Sequence, residues 1–127
     1  EDEHLRKQVL SCWVRSLRPL SAWHFIGVPE GGLCWARAMS DEINAKRHEF
    51  DPTATWGNPR QYIPDGSSIA VIEDVVTTGR SMFSVLKKYT SAVSLAVVVR
   101  NPEIHVHSAW SRIDLREDAN DLARVED

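Results

Sequence analysis

The first seventeen residues place an apolar side chain at every fourth position and charged side chains between them. This spacing gathers the apolar residues on one face and predicts an amphipathic helix over 1–17, which Pro19 ends. The apolar face consists of Leu5, Val9, Trp13 and Leu17. The chain therefore opens with a helix that packs one face against a core.

Short apolar runs then alternate with helical spacing. The pattern predicts strands over 22–28, 46–50, 68–73 and 95–99, a more marginal strand near 104–110, and helices over 33–44 and 80–89. Residues 51–66 are rich in Pro and Gly, and we expect them to form a long irregular loop. The order βαββαβ predicts an α/β fold with a parallel sheet and crossover helices on both of its faces.

Composition narrows the class of protein. The 127 residues, 43% of them hydrophobic, predict a single domain over 1–127, and the net charge of −3 argues against nucleic acid as a partner. No apolar stretch approaches the roughly 20 residues of a membrane span, and we expect no signal peptide. Because the chain has no such stretch, we expect no membrane partner. Cys12 and Cys34 lack the CxxC spacing, so we expect both to be reduced thiols in a cytoplasmic protein.

The run from Ile69 to Ser81 carries the clearest chemistry. Four apolar residues lead to two adjacent carboxylates, Glu73 and Asp74, and a Thr-Thr-Gly turn then leads into a helix. Two carboxylates at the end of a buried strand need polar partners, and the vicinal hydroxyls of a ribose can donate hydrogen bonds to both. A glycine turn before a helix offers amides and hydroxyls to a phosphate. The run therefore predicts a site for a phosphorylated sugar.

A purely structural interpretation of the same run is also available. A threonine hydroxyl commonly caps the helix that follows it, and Glu73 and Asp74 can be an ordinary strand end. Each feature alone favours that interpretation, whereas the complete order of strand, two acids, two threonines, glycine, serine and helix favours the ligand site. The chain has neither the Gly-Lys-Ser/Thr of a P-loop nor the GxGxxG of a dinucleotide site.

Residues 71–81, Val-Ile-Glu-Asp-Val-Val-Thr-Thr-Gly-Arg-Ser, resemble the 5-phosphoribosyl-1-pyrophosphate (PRPP) motif of the type I phosphoribosyltransferases. They are most similar to its form in orotate phosphoribosyltransferase. Residues 27–32, Gly-Val-Pro-Glu-Gly-Gly before a predicted helix, are similar to the pyrophosphate loop of the same family. With the strand pattern, the resemblance covers about residues 22–99. It implies a Rossmann-like core whose hood subdomain is reduced or absent.

The resemblance implies a role for each part of the site. Glu73 and Asp74 would be the catalytic pair that holds the ribose hydroxyls, with Mg²⁺ brought near them by PRPP rather than by direct protein ligands. The 5-phosphate would be held by Val75, Val76, Thr77, Thr78, Gly79, Arg80 and Ser81, although an arginine at a helix start more often faces solvent. The pyrophosphate loop would be Pro29, Glu30, Gly31 and Gly32.

Two regions depart from the orotate pattern. Orotate enzymes have a Lys- and His-rich mobile loop, whereas residues 46–60 contain cations without that signature, and a polar strand edge explains Lys46, Arg47 and His48 equally well. The Asp-Arg-x-Glu-Gly-Gly element for the base is replaced by Val-Arg-Asn-Pro-Glu at 99–103, which is closer to bacterial purine enzymes.

The candidate base-binding residues follow from this second departure. They are Arg100 and Trp110, with Trp110 stacking on the base, although a tryptophan of an edge strand more often covers the core. Trp56, in the expected long loop, is in a position to fold over a ligand, whereas the remaining tryptophans predict core or interface positions. The histidine at position 24 has no evident partner, and His105 and His107 are expected at a strand surface.

The activity implied is Mg²⁺-dependent transfer of 5-phosphoribose from PRPP to orotate or another pyrimidine or purine base, with release of pyrophosphate. The alternative is a regulatory module that binds PRPP or a nucleotide and has lost transfer. A structural protein built on this fold is less favoured, because nothing structural requires both acids and the Thr-Thr-Gly turn. The dimerising habit of the family and the five tryptophans predict a homodimer.

Overall fold

In a computed structural model, residues 3–46, 50, 54–100 and 107–111 are described. The helices are α1 (Glu3–Ser16), α2 (Gly31–Lys46) and α3 (Arg80–Leu86), and the strands are β1 (Trp23–Gly27), β2 (Thr55–Gly57), β3 (Ser68–Val76), β4 (Val93–Val99) and β5 (His107–Ser111). All strand pairs are parallel, in the order β2-β1-β3-β4-β5. The predicted parallel α/β architecture is confirmed. None of the helices in the described residues has the length and apolar character of a membrane-spanning segment.

The two crossovers run in opposite directions across the sheet. The connection β1-α2-β2 moves toward one edge, and β3-α3-β4 moves toward the other. Because such crossovers are right-handed, α2 and α3 lie on opposite faces. The direction in which strands are added across the sheet therefore reverses between the neighbouring strands β1 and β3.

Each face of the sheet has its own core. On the side of α1 and α2, the buried side chains include Trp13, Phe25, Met39, Ile72 and Leu95. On the side of α3 they include Ile26, Val71, Met82, Val85 and Ala96. This division confirms helices on both faces. It also confirms the amphipathic first helix, whose Trp13 is fully buried. The Trp13 ring packs edge-to-face on the Trp35 ring of α2, with 5.5 Å between the ring centroids.

The second strand lies elsewhere than predicted. Position 46 ends α2 instead of starting a strand, and β2 forms at Thr55–Gly57, inside the segment expected to be irregular. The reason is a side-chain clamp. The Asn44 amide donates to the Ala54 carbonyl at 3.0 Å and accepts from the Ala54 N–H at 3.1 Å, and the Ser40 hydroxyl donates to the same carbonyl at 3.0 Å. Helix α2 thus holds the chain where its next residues pair with β1.

Two predicted roles change with the position of β2. The Trp56 ring is on a strand, not in a loop, and the Arg37 guanidinium of α2 lies 5.9 Å from its centroid. His24, expected to lack a partner, forms a hydrogen bond through Nδ1 to the Thr55 hydroxyl at 2.6 Å. Both residues therefore bind β2 to its neighbours.

Strand β3 is longer than predicted. It was expected to end at Glu73 but continues to Val76, and its register pairs Val75 with Val98 and Val76 with Val99. β-branched residues favour extended backbone, which explains the continuation. The two acids consequently lie within the strand rather than at its end. The last strand is present, and it pairs with β4 through residues 107–111.

Candidate active site

The two loops singled out by the sequence lie side by side. Strand β1 ends at Gly27 and β3 at Val76, and these strands are neighbours in the sheet. The Val28 N–H donates to the Ile72 carbonyl at 2.8 Å, so the pairing of the two strands continues into the first loop. Ligands of open α/β sheets bind beyond the carboxyl ends of the strands, at the point where the strand order reverses. Both loops occupy that point.

Glycines bring the start of α2 against the sheet. A Cβ at Gly27 would lie 2.5 Å from the Gly32 carbonyl oxygen, and a Cβ at Gly32 would overlap the Ile72 carbonyl oxygen. Real side chains do not tolerate such distances, so only glycine fits at both positions. The exposed Pro29 and Glu30 are joined by a cis peptide bond in the intervening loop. The sequence indicated a loop for pyrophosphate here, and the structure adds its close packing on β3.

Asp74 lies against the same loop. An ideal Cβ on Gly31 would be 2.8 Å from Asp74 Oδ2 and 2.9 Å from Asp74 Cβ. These distances place its carboxylate beside Gly31, the first residue of α2, and the Asp74 side chain is half-buried there. A negative charge at this position is favourable because the N-terminus of a helix carries a partial positive charge.

Glu73 has a different environment from its neighbour. Successive side chains of a strand point to opposite faces, so Glu73 is directed away from α2. Its Oε1 atom is buried and has no hydrogen-bond partner, and burial raises the pKa of its carboxyl above the ordinary value. A buried polar atom without a partner is costly in a protein, and a hydroxyl from a ligand would satisfy it.

The second loop is shorter than the sequence indicated. Val75 and Val76, both assigned to the 5-phosphate, belong to β3, and Val76 is buried. The turn itself is Thr77, Thr78 and Gly79. Both threonines are exposed, and Gly79 adopts the left-handed conformation with φ of 82°. Exposed hydroxyls beside a glycine turn at the carboxyl edge of the sheet can donate hydrogen bonds to a phosphate.

The start of α3 combines capping with exposed polar groups. The Thr78 hydroxyl accepts a hydrogen bond from the Arg80 N–H at 3.3 Å, so the structural interpretation of this threonine is supported. That interpretation does not account for the exposed Thr77 and Ser81 or for the buried oxygen of Glu73. Arg80 is exposed, as expected for an arginine at the start of a helix.

The candidate base residues lie on or directly after the neighbouring strands β4 and β5. The Arg100 N–H donates to the Val76 carbonyl at 2.9 Å, which places this residue beside the start of the 77–79 turn. Trp110 has its backbone on the edge strand β5, opposite Val98. A role for either side chain in holding a base stays a prediction. Lys46 is paired with Glu42 at 3.6 Å, whereas Arg47 and His48 lie outside the described residues, as does His105.

The donor set fits a cation that arrives with its substrate. Among the described residues, no group of three or more His, Cys, Asp or Glu side chains is arranged to hold a metal ion. Mg²⁺ commonly binds one or two carboxylates and takes its other ligands from substrate phosphates and water. Glu73, with its unpartnered oxygen, and Asp74 are carboxylates of that kind. The two cysteines are free, as predicted.

Comparison with known proteins adds evidence on the fold. No family model and no curated protein matches the sequence. The structure of hypoxanthine phosphoribosyltransferase from Trypanosoma cruzi, in complex with the product IMP, matches with a TM-score of 0.59 at 13% identity, over 86% of this chain and 72% of that one. The chain has the fold of the type I phosphoribosyltransferases.

A second solved structure gives the same result. A hypoxanthine-guanine-xanthine phosphoribosyltransferase matches with a TM-score of 0.58 at 12% identity, over 84% of this chain and 73% of that one. Both neighbours with this phosphoribosyltransferase fold are named for purine bases, whereas the PRPP motif most resembles the orotate form. The specific likeness to orotate enzymes therefore stays a prediction.

Proposed function

We propose that the protein is a phosphoribosyltransferase that moves 5-phosphoribose from PRPP to a nucleobase and releases pyrophosphate. The observation that carries this proposal is the meeting of the two loops at the reversal between β1 and β3, with Asp74 lying against Gly31. Two segments that resemble the PRPP and pyrophosphate loops, residues 71–81 and 27–32, are separated by 38 residues in sequence and share one edge of the sheet.

Each group of PRPP has a partner in this proposal. The ribose hydroxyls donate to Asp74 and to the buried Oε1 of Glu73, which supplies the hydrogen bond that the latter lacks. The 5-phosphate lies on the turn formed by Thr77, Thr78 and Gly79, next to Ser81. The pyrophosphate lies at the loop 29–32, at the start of α2.

The reaction is a displacement at the anomeric carbon. The bond to pyrophosphate breaks, positive charge develops on the ribose ring, and a nitrogen of the base forms the new bond from the opposite face, as in glycoside chemistry. Asp74 and Glu73 hold the sugar and stabilise this charge, and no side chain is required as a nucleophile. Mg²⁺ brought by PRPP near Glu73 and Asp74 would neutralise charge on the leaving group.

Two kinds of base are candidates for the acceptor, a purine and orotate. The named neighbours in structure act on hypoxanthine, guanine and xanthine, and the residues that follow β4 resemble a purine enzyme. We therefore expect a purine base, with orotate as the competing acceptor. Arg100 lies beside the phosphate loop and is the residue we expect to contact the base, with Trp110 as the candidate stacking residue.

The test is a pyrophosphate-release assay. The protein is incubated with PRPP, Mg²⁺ and, separately, hypoxanthine, guanine, xanthine and orotate, and nucleotide formation is followed by chromatography. We expect release with at least one purine, abolition by removal of Mg²⁺, and unchanged activity in Cys34→Ala, whose side chain is exposed and is not among the proposed contacts. Binding of PRPP without release with any base would contradict transferase activity and favour the regulatory module.

Three further predictions belong to this proposal. We expect one domain over residues 1–127, a homodimer in solution, and a cytoplasmic location.

A further inference from the structure

The contact between Gly31 and Asp74 points to a role for this glycine beyond the pyrophosphate loop. The hypothetical Cβ of residue 31 would lie 2.8 Å from Asp74 Oδ2, 2.9 Å from its Cβ and 3.2 Å from its Cγ. One of these atoms, Asp74 Cβ, belongs to the stem of the side chain, whereas the other two belong to the carboxylate. A change of rotamer moves the carboxylate but leaves Asp74 Cβ where the strand holds it.

The backbones on both sides of the contact are fixed. Gly32 packs against the Ile72 carbonyl, and that carbonyl also accepts the Val28 N–H at 2.8 Å. On the other side, the backbone of β3 is paired with β4 at Glu73 and at Val75, on either side of Asp74. The start of α2 and the strand therefore cannot separate to make room for a methyl group without loss of these interactions.

We propose that Gly31 is a positioning residue for Asp74: the space left by its absent side chain sets where the carboxylate meets the ribose hydroxyls. This inference rests on the proposed function, in which Asp74 binds those hydroxyls. It differs from a role in holding pyrophosphate, because it makes Gly31 necessary for a ligand that has no pyrophosphate.

Ribose 5-phosphate separates the two roles, since it has the hydroxyls and the 5-phosphate but neither pyrophosphate nor a base. Its dissociation constant is measured by NMR titration for the wild type, Gly31→Ala, Asp74→Gly and the double variant. We expect Gly31→Ala to weaken binding at least tenfold in the wild-type background and less than twofold in the Asp74→Gly background. Cys34→Ala, a substitution in the same first part of α2, is expected to bind as the wild type does.

Unfolding in urea of the same four proteins provides a second readout. Asp74→Gly removes the three atoms that would lie nearest to the new methyl group, so we expect Gly31→Ala to lower the unfolding midpoint of the wild type and to leave that of Asp74→Gly nearly unchanged. If Gly31→Ala alone does not fold, the double variant is expected to fold.

The outcomes separate this inference from the proposed function. The positioning role would be overturned if Gly31→Ala bound ribose 5-phosphate as tightly as the wild type. It would also be overturned if the substitution lowered this affinity equally in the wild type and in Asp74→Gly. If the wild type neither binds ribose 5-phosphate nor releases pyrophosphate from PRPP with any base, the proposed function fails. The unfolding cycle then decides whether Gly31 positions Asp74, and a midpoint lowered equally in both backgrounds overturns that role.

Discussion

At the scale of single residues, the site depends on two adjacent carboxylates with unequal surroundings. Asp74 lies beside the start of α2, whereas the Oε1 atom of Glu73 is buried without a partner. We expect Asp74→Asn to weaken PRPP binding by about ten- to a hundredfold, because a hydrogen bond to a charged group contributes about 1.5–3 kcal/mol. The amide keeps the shape of the side chain, so the unfolding midpoint should change little. Calorimetric titration with PRPP and Mg²⁺ measures the effect, and an unchanged affinity would contradict the assignment of the site.

His24 gives the molecule a pH dependence that can be measured without a ligand. Burial lowers the pKa of its imidazole below the ordinary value of 6.5, so as the pH falls through about 6.5 the unfolded chain binds a proton that the native protein does not. Stability therefore decreases on acidification. We expect His24→Asn, which retains a polar group for Thr55, to lose less of its urea midpoint than the wild type between pH 7.5 and 5.5. If the urea midpoints of the two proteins fell equally with pH, His24 would not be the cause of the pH dependence.

At the scale of elements, the turn between β3 and α3 depends on one glycine. Gly79 has φ of 82°, and a Cβ there would lie 2.6 Å from the Phe83 ring. We expect Gly79→Ala to lose about 1–2 kcal/mol of stability from the left-handed backbone, a further amount from the clash, and affinity for ribose 5-phosphate. Urea unfolding and NMR titration measure the two effects.

The chain provides a matched control for this prediction. Gly66 has nearly the same φ, 81°, but a Cβ there would meet nothing within 4 Å. Gly66→Ala should therefore lose only the backbone contribution, about 1–2 kcal/mol, and bind ribose 5-phosphate as the wild type does. Equal effects of the two substitutions on binding would show that the 77–79 turn does not hold the phosphate.

The sequence predicted those elements that local pattern determines. Apolar spacing located α1, and a continuous apolar run located β4, because burial on one or both faces leaves a direct trace in the sequence. It misplaced β2, since this three-residue strand depends on the clamp between Asn44 and Ala54, which joins residues ten positions apart through side chains. It also predicts too early an end for β3, because two adjacent charged residues are typical of a strand end, whereas pairing with β4 continues this strand to Val76.

At the scale of the whole molecule, the site itself was predictable only in part. The acids and the Thr-Thr-Gly turn were visible as a run, but the contact of Asp74 with Gly31 arises from the reversal of strand order between β1 and β3. No local pattern encodes that neighbourhood. The motif therefore predicts which residues bind a phosphosugar, whereas the topology determines which of them lie in contact.

This topology makes a prediction about the unfolding of the whole chain. A ligand bound between β1 and β3 contacts elements that lead to both halves of the sheet, so it should stabilise the molecule as one unit. With PRPP and Mg²⁺ at a hundredfold excess over Kd, the expected gain is about 2.7 kcal/mol, which raises Tm by roughly 5–20 °C.

Two probes of heat unfolding test this cooperativity. Circular dichroism follows the helices, and tryptophan fluorescence reports from three strands and two helices through Trp13, Trp23, Trp35, Trp56 and Trp110. If residues 1–127 form one domain, both probes should show a single transition at the same temperature, and PRPP should shift both equally. A ligand shift confined to one probe, or two separate transitions, would contradict a single domain organised around a site at its centre.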